Sequence, residues 1–481
     1  MEIKKDIIPL KTKINYGIGS LGLQSTTGLF TAWTLIYYIK IVKINPLLWA
    51  LAWVIYFAWN LINGPIFGHL SDRTNTKYGR RIPYLMVCGP LLSISFILLY
   101  LTPINSEQWV YFLWLILTLI AYDSFFTIVA LTFNSLMSEL SIEPEERANL
   151  SFFAGIGGGI GLAISYALPI LFIQNVQPYD QNRPMFLSIV FFIALLGAIF
   201  LAFTAFGIKE RRELMPEKSQ ILGLWKSTKT TLKNRGFLTF VIFNFMITFV
   251  IAAILSNLPF YIHDVLNASG DNLLASMPLL VYISFSIIGY PLGLLLNKKC
   301  GNKQAIIILS SIVVIGLVLL TFADNLIFAN ICFAIIGFGF SGQTLLIFTL
   351  LADVIDKDEL ETGERREGMF FGTNALITKP AITMSAVISG LVLYLTLYNQ
   401  DLNPGETQPI SAIIGIKLLI GLIPAIFIVI GLLFLWYYPL DPKCEDYKEM
   451  KRKVRCLHDE KLKRCREKLA CIIDENKDKK N

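Results

Sequence analysis

The sequence predicts an all-α membrane protein: twelve transmembrane helices in two pseudo-symmetric six-helix halves, followed by an amphipathic cytoplasmic tail. Three observations carry this. Hydrophobic residues fill 54% of the 481 positions and charged residues only 16%, more apolar surface than a soluble chain of this length can bury. Twelve separate apolar runs each reach the roughly 20 residues that a membrane span needs. Thirty-seven of the 42 Lys and Arg residues fall on one side of those runs.

The runs are 15–40, 47–70, 82–102, 109–137, 151–174 and 185–208, then 237–262, 273–297, 304–323, 325–351, 369–397 and 411–437. The first run follows a polar start and is far longer than a signal-peptide core, so it is expected to stay as an anchor. Residues 209–236 are the longest interior polar stretch and divide the spans six and six. The expected organisation is therefore an N-terminal half at 1–208, a cytoplasmic linker at 209–236, a C-terminal half at 237–437 and a charged tail at 438–481. Two echoes link the halves. Gly68 to Asp72-Arg73 at the end of span 2 matches Gly293 to Asn297-Lys298 at the end of span 8. Glu139, Glu146-Arg147 and Phe152-Phe153 match Asp353, Glu364-Arg365 and Phe370-Phe371. Both echoes keep one orientation, as parallel repeats about the membrane normal do. In the tail, Met450, Val454, Leu457, Leu462, Cys465, Leu469 and Ile472 recur mostly at three- and four-residue steps. That is an amphipathic helix, packed beneath the spans or lying on anionic lipid.

An even number of spans puts both termini on one side, and the basic bias puts that side in the cytoplasm. The protein is expected to be a multi-pass integral protein of the plasma membrane, with the lipid bilayer and a small-molecule solute as partners. The net charge of +7 follows from this topology and calls for no nucleic-acid partner. Oligomeric state is not legible. The seven cysteines avoid the outer loops and are expected to be reduced thiols. The chain has no P-loop, His-Glu-x-x-His or nucleophile elbow, so neither an enzyme nor an ATP-driven pump is expected, and no cofactor or metal.

The loop after span 2 reads Gly68-His-Leu-Ser-Asp72-Arg73-Thr-Asn-Thr-Lys77-Tyr-Gly79-Arg80-Arg81-Ile-Pro83-Tyr84. A carboxylate at a helix end beside a basic turn makes charge-assisted hydrogen bonds that one state can form and another lose. Topology alone accounts for the arginines, but not for Gly68, Asp72, Gly79 and Pro83 at these places. The pattern Arg-Thr-x-Thr-x-x-Gly-Arg-Arg-x-Pro-Tyr resembles the cytoplasmic signature of the glycoside-pentoside-hexuronide:cation symporter family, a branch of the major facilitator superfamily. The stretch from Leu351-Ala-Asp353-Val-Ile-Asp356 to Thr362-Gly363-Glu-Arg365-Arg366-Glu367-Gly368 resembles it too, as does Tyr16-Gly17-Ile-Gly19. The resemblance covers all the spans and leaves the tail outside. It implies the major facilitator fold, alternating access, and a cytoplasmic gate built on Gly68, Asp72, Arg73, Gly79, Arg80, Arg81, Asp353, Arg365 and Arg366.

The resemblance also implies embedded charges, and here the chain departs from the family. The two cation-binding aspartates of span 2 correspond to Asn60 and Gly64, with Asn63 between them. The sugar-binding aspartate of span 1 corresponds to Gln24, the aspartate of span 4 to Ala130, and the arginine of span 5 has no counterpart near Ala154. Only Lys379 in span 11 remains. Neutral amides leave the charge of a sodium ion uncompensated in low dielectric, so a sodium site of the family type is not expected.

One carboxylate does lie deep in the membrane. Asp123 is about 21 Å along span 4 from Trp109, on the face of Ala130 and two turns from it, with Thr127 and Asn134 on the same stripe. Asp123 is a candidate for binding a proton, contacting a substrate hydroxyl or pairing with Lys379, against a structural carboxylate satisfied by hydroxyls or water. Ser20, Gln24, Thr27 and Thr31 form a polar face of span 1, with Asn244 and Thr248 in span 7 and Ser341, Gln343 and Thr344 in span 10. The candidate binding or coupling residues are Gln24, Asn60, Asn63, Asp123, Thr127 and Lys379. Glycines 155, 157, 158, 159 and 161 of span 5 are expected to allow close helix packing. The function expected is secondary transport of a small organic solute, a sugar or glycoside first, with H+ coupling or facilitation favoured over Na+. The alternatives are a lysolipid or other non-sugar carrier of the same fold, or a receptor-like relative that does not transport.

Overall fold

The computed structural model describes residues 8–74, 76, 79–140, 144–172, 182–208, 231–266, 272–341, 343–363, 366–402, 406–440, 447–454 and 456. Its helices are α1 (Leu10–Ile36), α2 (Pro46–Arg73), α3 (Ile82–Tyr100), α4 (Gln108–Leu140), α5 (Pro144–Phe172), α6 (Arg183–Gly207), α7 (Arg235–Phe260), α8 (Asn272–Cys300), α9 (Asn302–Thr321), α10 (Leu326–Phe340), α11 (Gln343–Thr362), α12 (Glu367–Leu395) and α13 (Ile410–Trp436). Among the described residues the only extended pairing is the bridge between Thr76 and Gly79. Most of linker 209–236 and the tail beyond 456 lie outside the described residues.

Helix starts follow local chemistry. Asn45 accepts from Leu47 N ahead of Pro46, Asn234 accepts from Gly236 N and Phe237 N, and Asn325 accepts from Phe328 N. Each satisfies an amide that the first helical turn leaves open. A π turn, Tyr37–Ile41, extends α1, and another, Tyr261–Val265, extends α7. A third, Leu418–Leu422, interrupts α13.

Ten helices among the described residues are long and apolar enough to cross a membrane, against the twelve spans expected. The two that fall short have identifiable causes. In α1 the Gly, Ser, Thr and Gln residues of its polar face dilute the apolar ones. The run 325–351 is broken where Ser341 turns extended (ψ 129°), which separates the 15-residue α10 from α11. Phe206, Ile287, Leu433 and Trp436 are exposed on helix surfaces, a lipid-facing coat that water would not tolerate. The chain is an integral, multi-pass membrane protein.

Helices α1–α6 pack among themselves, with α1 against α5 and α6 and α4 against α2 and α3. Helices α7–α13 do likewise, with α7 against α12 and α13 and α10 against α8 and α9. The two groups meet where α2 packs on α12, α1 on α7 and α5 on α8. Not every glycine of α5 serves the packing. A Cβ on Gly157 would lie 2.0 Å from Gly17 O, and one on Gly161 would lie 2.5 Å from Leu21 O. Gly158 faces Gln24 and Ser20 more loosely, whereas Gly155 and Gly159 face open space. Below, the end carrying Lys13, Arg81 and Arg366 is called the basic end, and the other the far end.

Candidate functional site

On α2, Trp49, Trp53, Tyr56, Asn60 and Asn63 recur at steps of four, three, four and three, and on α12 Lys379, Thr383, Ala386 and Gly390 do the same. Such spacing makes one continuous stripe on each helix, and the stripes face each other. Near the far end Trp49 Nε1 donates to Ala386 O at 3.1 Å, and only a glycine fits at 390, where a Cβ would lie 2.7 Å from the Trp49 ring. Further in, Asn60 Nδ2 reaches Thr383 Oγ1 at 3.4 Å.

At the next layer α4 adds Asp123, 7% exposed, and Thr127. Asn63 Nδ2 donates to the Asp123 carboxylate and, at 3.3 Å, to Thr127 Oγ1. Lys379 Nζ donates to Asn63 Oδ1 at 3.1 Å and to Thr127 Oγ1 at 3.0 Å. The Tyr56 hydroxyl lies beside the same carboxylate. No direct ion pair joins Lys379 to Asp123 among the described residues; Asn63 and Thr127 stand between them. A buried carboxylate and a buried ammonium are tolerable only with such partners. The network joins the two helix groups, α2 and α4 on one side and α12 on the other.

Five of the six candidate residues thus converge: Asn60, Asn63, Asp123, Thr127 and Lys379. Gln24 does not. It lies half-buried against Gly158 of α5. Asn134 is exposed, and the hydroxyls of Thr27 and Thr248 bond to carbonyls of their own helices. Asn244 pairs with Asn374 at 2.9 Å, and Gln343 with Ser310 at 3.0 Å. The side chain of Thr344 lies outside the described residues. Sequence reasoning missed Tyr56, although its place four residues before Asn60 on the same stripe was a usable signal.

At the basic end, Gly79 has φ 119° and exchanges hydrogen bonds of 3.2 Å with Thr76, a turn that strains any other residue. Arg81 Nη1 donates to Ser71 Oγ at 2.6 Å, and that hydroxyl donates to Gly68 O. A Cβ on Gly68 would meet open space, so close packing does not require glycine there. Arg80 lies half-buried beside Arg81. The side chains of Asp72 and Arg73, and all of Arg365, lie outside the described residues.

Arg366 forms a bidentate pair with Asp358, at 2.9 and 2.6 Å, rather than with Asp353. The partners of Asp353 come from the tail: Tyr447 OH donates to it at 3.0 Å and Lys451 Nζ lies 2.7 Å away. Lys451 also pairs with Asp356 at 2.7 Å, and Met450 and Val454 are buried beneath. Burial lifts the Asp353 carboxyl above its usual range, while Lys451 and Tyr447 pull it back. Burial acts to lower Lys451, but Asp353 and Asp356 hold it above its ordinary value.

The far end holds a second network that the sequence did not announce. Lys40, in the π turn after α1, places Nζ 2.7 Å from Asp264 Oδ1 and 2.9 Å from His263 Nδ1, both in the π turn after α7. Tyr398 OH donates to Asp264 Oδ2 at 2.9 Å. Lys43 pairs with Asp401 at 2.7 Å, and Gln400 Nε2 donates to Ile44 O at 2.7 Å. These bonds tie the two helix groups together from the Lys379 layer to the far end.

A family profile described as MFS/sugar transport protein matches residues 15–442. The glucuronide carrier protein homolog of Escherichia coli (strain K12) is 22% identical, over 90% of this chain and 93% of its own. The sodium-dependent lysophosphatidylcholine symporter 1 of Gallus gallus is 23% identical, over 93% and 90%. A crystal structure of a D-xylose-proton symporter aligns with TM-score 0.65 at 16% identity, over 90% of this chain and 98% of that one, which shows the same fold. The matched profile runs from within α1 to beyond the end of α13, so the chain belongs to the MFS/sugar transport family, among the glycoside-pentoside-hexuronide-type symporters of the major facilitator superfamily.

Proposed function

We propose that the protein is a proton-coupled secondary carrier of a small polyhydroxylated solute, a sugar or glycoside, working by alternating access with Asp123 as the proton site. In this reading all twelve segments count as spans, with α10 and α11 as one broken span. The two helix groups are the moving bodies, and the basic end faces the cytoplasm of a plasma membrane. The carrier is held shut on its outer side by the Lys40–Asp264 and Lys43–Asp401 pairs.

One observation carries the coupling. The Lys379 ammonium already sits on Asn63 Oδ1 and Thr127 Oγ1, the oxygens that a sodium ion at this layer would need. A second cation there would face Lys379 across a few ångströms of low dielectric. A proton meets no such obstacle. Protonated Asp123 no longer balances Lys379, so the tie between α4 and α12 weakens and the groups can part. Sodium is therefore disfavoured as coupling ion, and Asp123 and Lys379 are the residues that time the motion.

A lysolipid carrier is the second reading, favoured by the similarity to a lysophosphatidylcholine symporter. Uptake by reconstituted proteoliposomes of a panel of labelled glycosides, free sugars and lysophosphatidylcholine separates the two. Saturable glycoside uptake supports the first reading and lysophospholipid uptake the second. No uptake across the panel contradicts both and leaves a receptor-like protein.

A further inference from the structure

The stripe shared by α2 and α12 continues outward from Asn60 and Thr383 into a small cavity between the helix groups. Phe30 and Thr31 of α1, Trp49 and Trp53 of α2, Ser256 of α7 and Ser385 of α12 are among its walls. The space is about 20 Å³, and one water needs ~10–15 Å³. The rings of Phe30, Trp49 and Trp53 stand 5.5 to 6.0 Å apart and make most of the wall apolar.

Two residues of this wall carry a buried polar atom with no hydrogen-bond partner among the described residues, Trp53 at Nε1 and Ser385 at Oγ. These residues are 4% and 2% exposed. A third such atom, Asn60 Oδ1, lies seven residues further in on the same face of α2. Buried polar atoms are nearly always paired, so two orphans on one cavity mark a place where something else supplies the bonds. The chemistry narrows what that is. An indole N–H only donates, and a serine hydroxyl both donates and accepts. An ammonium has no lone pair to accept from the Trp53 N–H, and no cationic side chain lines the cavity to balance a carboxylate. A neutral hydroxyl accepts from Trp53 and bonds Ser385 in either sense, and it fits the volume.

We propose that this cavity is a subsite for one terminal hydroxyl of the transported solute, such as an exocyclic hydroxymethyl arm. The rest of the solute lies inward, at the Asn60 and Lys379 layers. The inference rests on reading the chain as a carrier of polyhydroxylated solutes. Trp53 and Ser385 then become specificity residues contributed by both helix groups, and the outer side can close fully only over a solute that fills the cavity.

The test is initial uptake of methyl β-D-glucopyranoside and methyl β-D-xylopyranoside, identical except for the hydroxymethyl arm, by proteoliposomes of wild type, Ser385→Ala and Trp53→Phe. Trp53→Phe keeps an aromatic ring but removes the N–H together with part of the indole's volume, and Ser385→Ala serves as the control that leaves the rings intact. The expected result is a wild-type preference for the glucoside of at least about tenfold. Each variant should cut glucoside uptake severalfold more than xyloside uptake, so that the preference collapses. Uptake of both probes by wild type without preference overturns the inference alone, as does an equal fall of both probes in the variants, which would signal a packing role. A wild type that takes up neither probe overturns the sugar reading itself, and the inference with it.

Discussion

Asp123 and Lys379 depend on each other through Asn63 and Thr127, and their substitutions should show it. Lys379→Ala leaves the carboxylate buried without its cation, a loss of about 3–5 kcal/mol when one partner of a buried pair goes. Transport should stop, and the melting temperature in detergent should fall. Asp123→Asn/Lys379→Met together should recover much of that stability while remaining inactive, because neither charge is then unbalanced. A double variant no more stable than Lys379→Ala would mean that the two charges are not coupled. At this scale the sequence was legible where helical register carried the signal. Asp123 and Thr127 stood out by their polarity in an apolar run and their shared helix face, whereas Asn60, Asn63 and Lys379 were singled out by the family resemblance. Gln24 stands apart from the other five because register fixes the face of a helix but not which neighbour that face meets, and in α1 the neighbour is Gly158 of α5.

Helix elements make sharper claims than single side chains. On α5, Gly157→Ala drives a methyl into Gly17 O and should destabilise by about 1–3 kcal/mol, whereas Gly159→Ala has open space and should be near neutral. Thermal unfolding of both variants checks the contrast. The start of α5 also ties down the N-terminal segment: Glu146 accepts from Ile8 N at 2.9 Å and pairs with Lys13 at 2.9 Å. The Lys13 and Ile8 hydrogen bonds hold the Glu146 carboxyl below its ordinary 4.5. Its contribution is complete above that ordinary value and is lost as pH falls through the depressed folded value. Protease cutting near Ile8 should therefore rise with acid in wild type, and Glu146→Gln should cut readily at every pH. Boundaries of most elements were visible in the sequence. The break at Ser341 was not, since an apolar run looks the same whether continuous or bent. The amphipathic pattern read from Met450 to Ile472 enters the described residues only at its start, where Met450 and Val454 are buried; the pairing of Lys451 with Asp353 and Asp356 was not legible, because the partner of a charge is set by tertiary packing.

In the whole molecule two networks hold the helix groups together, one at the Lys379 layer and one at the far end. The far-end network escaped the sequence reading because Lys40 looked like one more loop charge. Its burial with Asp264, both nearly inaccessible, comes from the meeting of two π turns that apolar periodicity does not foretell. Cysteines replacing Lys43 and Asp401 in a cysteine-free background should cross-link readily, and Asp264→Asn should lower the yield severalfold by letting the far end open. An unchanged yield would mean that Lys40 and Asp264 do not hold the far end closed. The claim that most needs testing is that Lys379 occupies the place of a coupling sodium ion and leaves Asp123 to bind a proton. The direct measurement is solute accumulation in proteoliposomes under an inward proton gradient without sodium, and under an inward sodium gradient at equal pH. The account predicts accumulation in the first condition only, reduced to equilibration by Asp123→Asn. Accumulation driven by sodium, or proton-driven accumulation that survives Asp123→Asn, would contradict it.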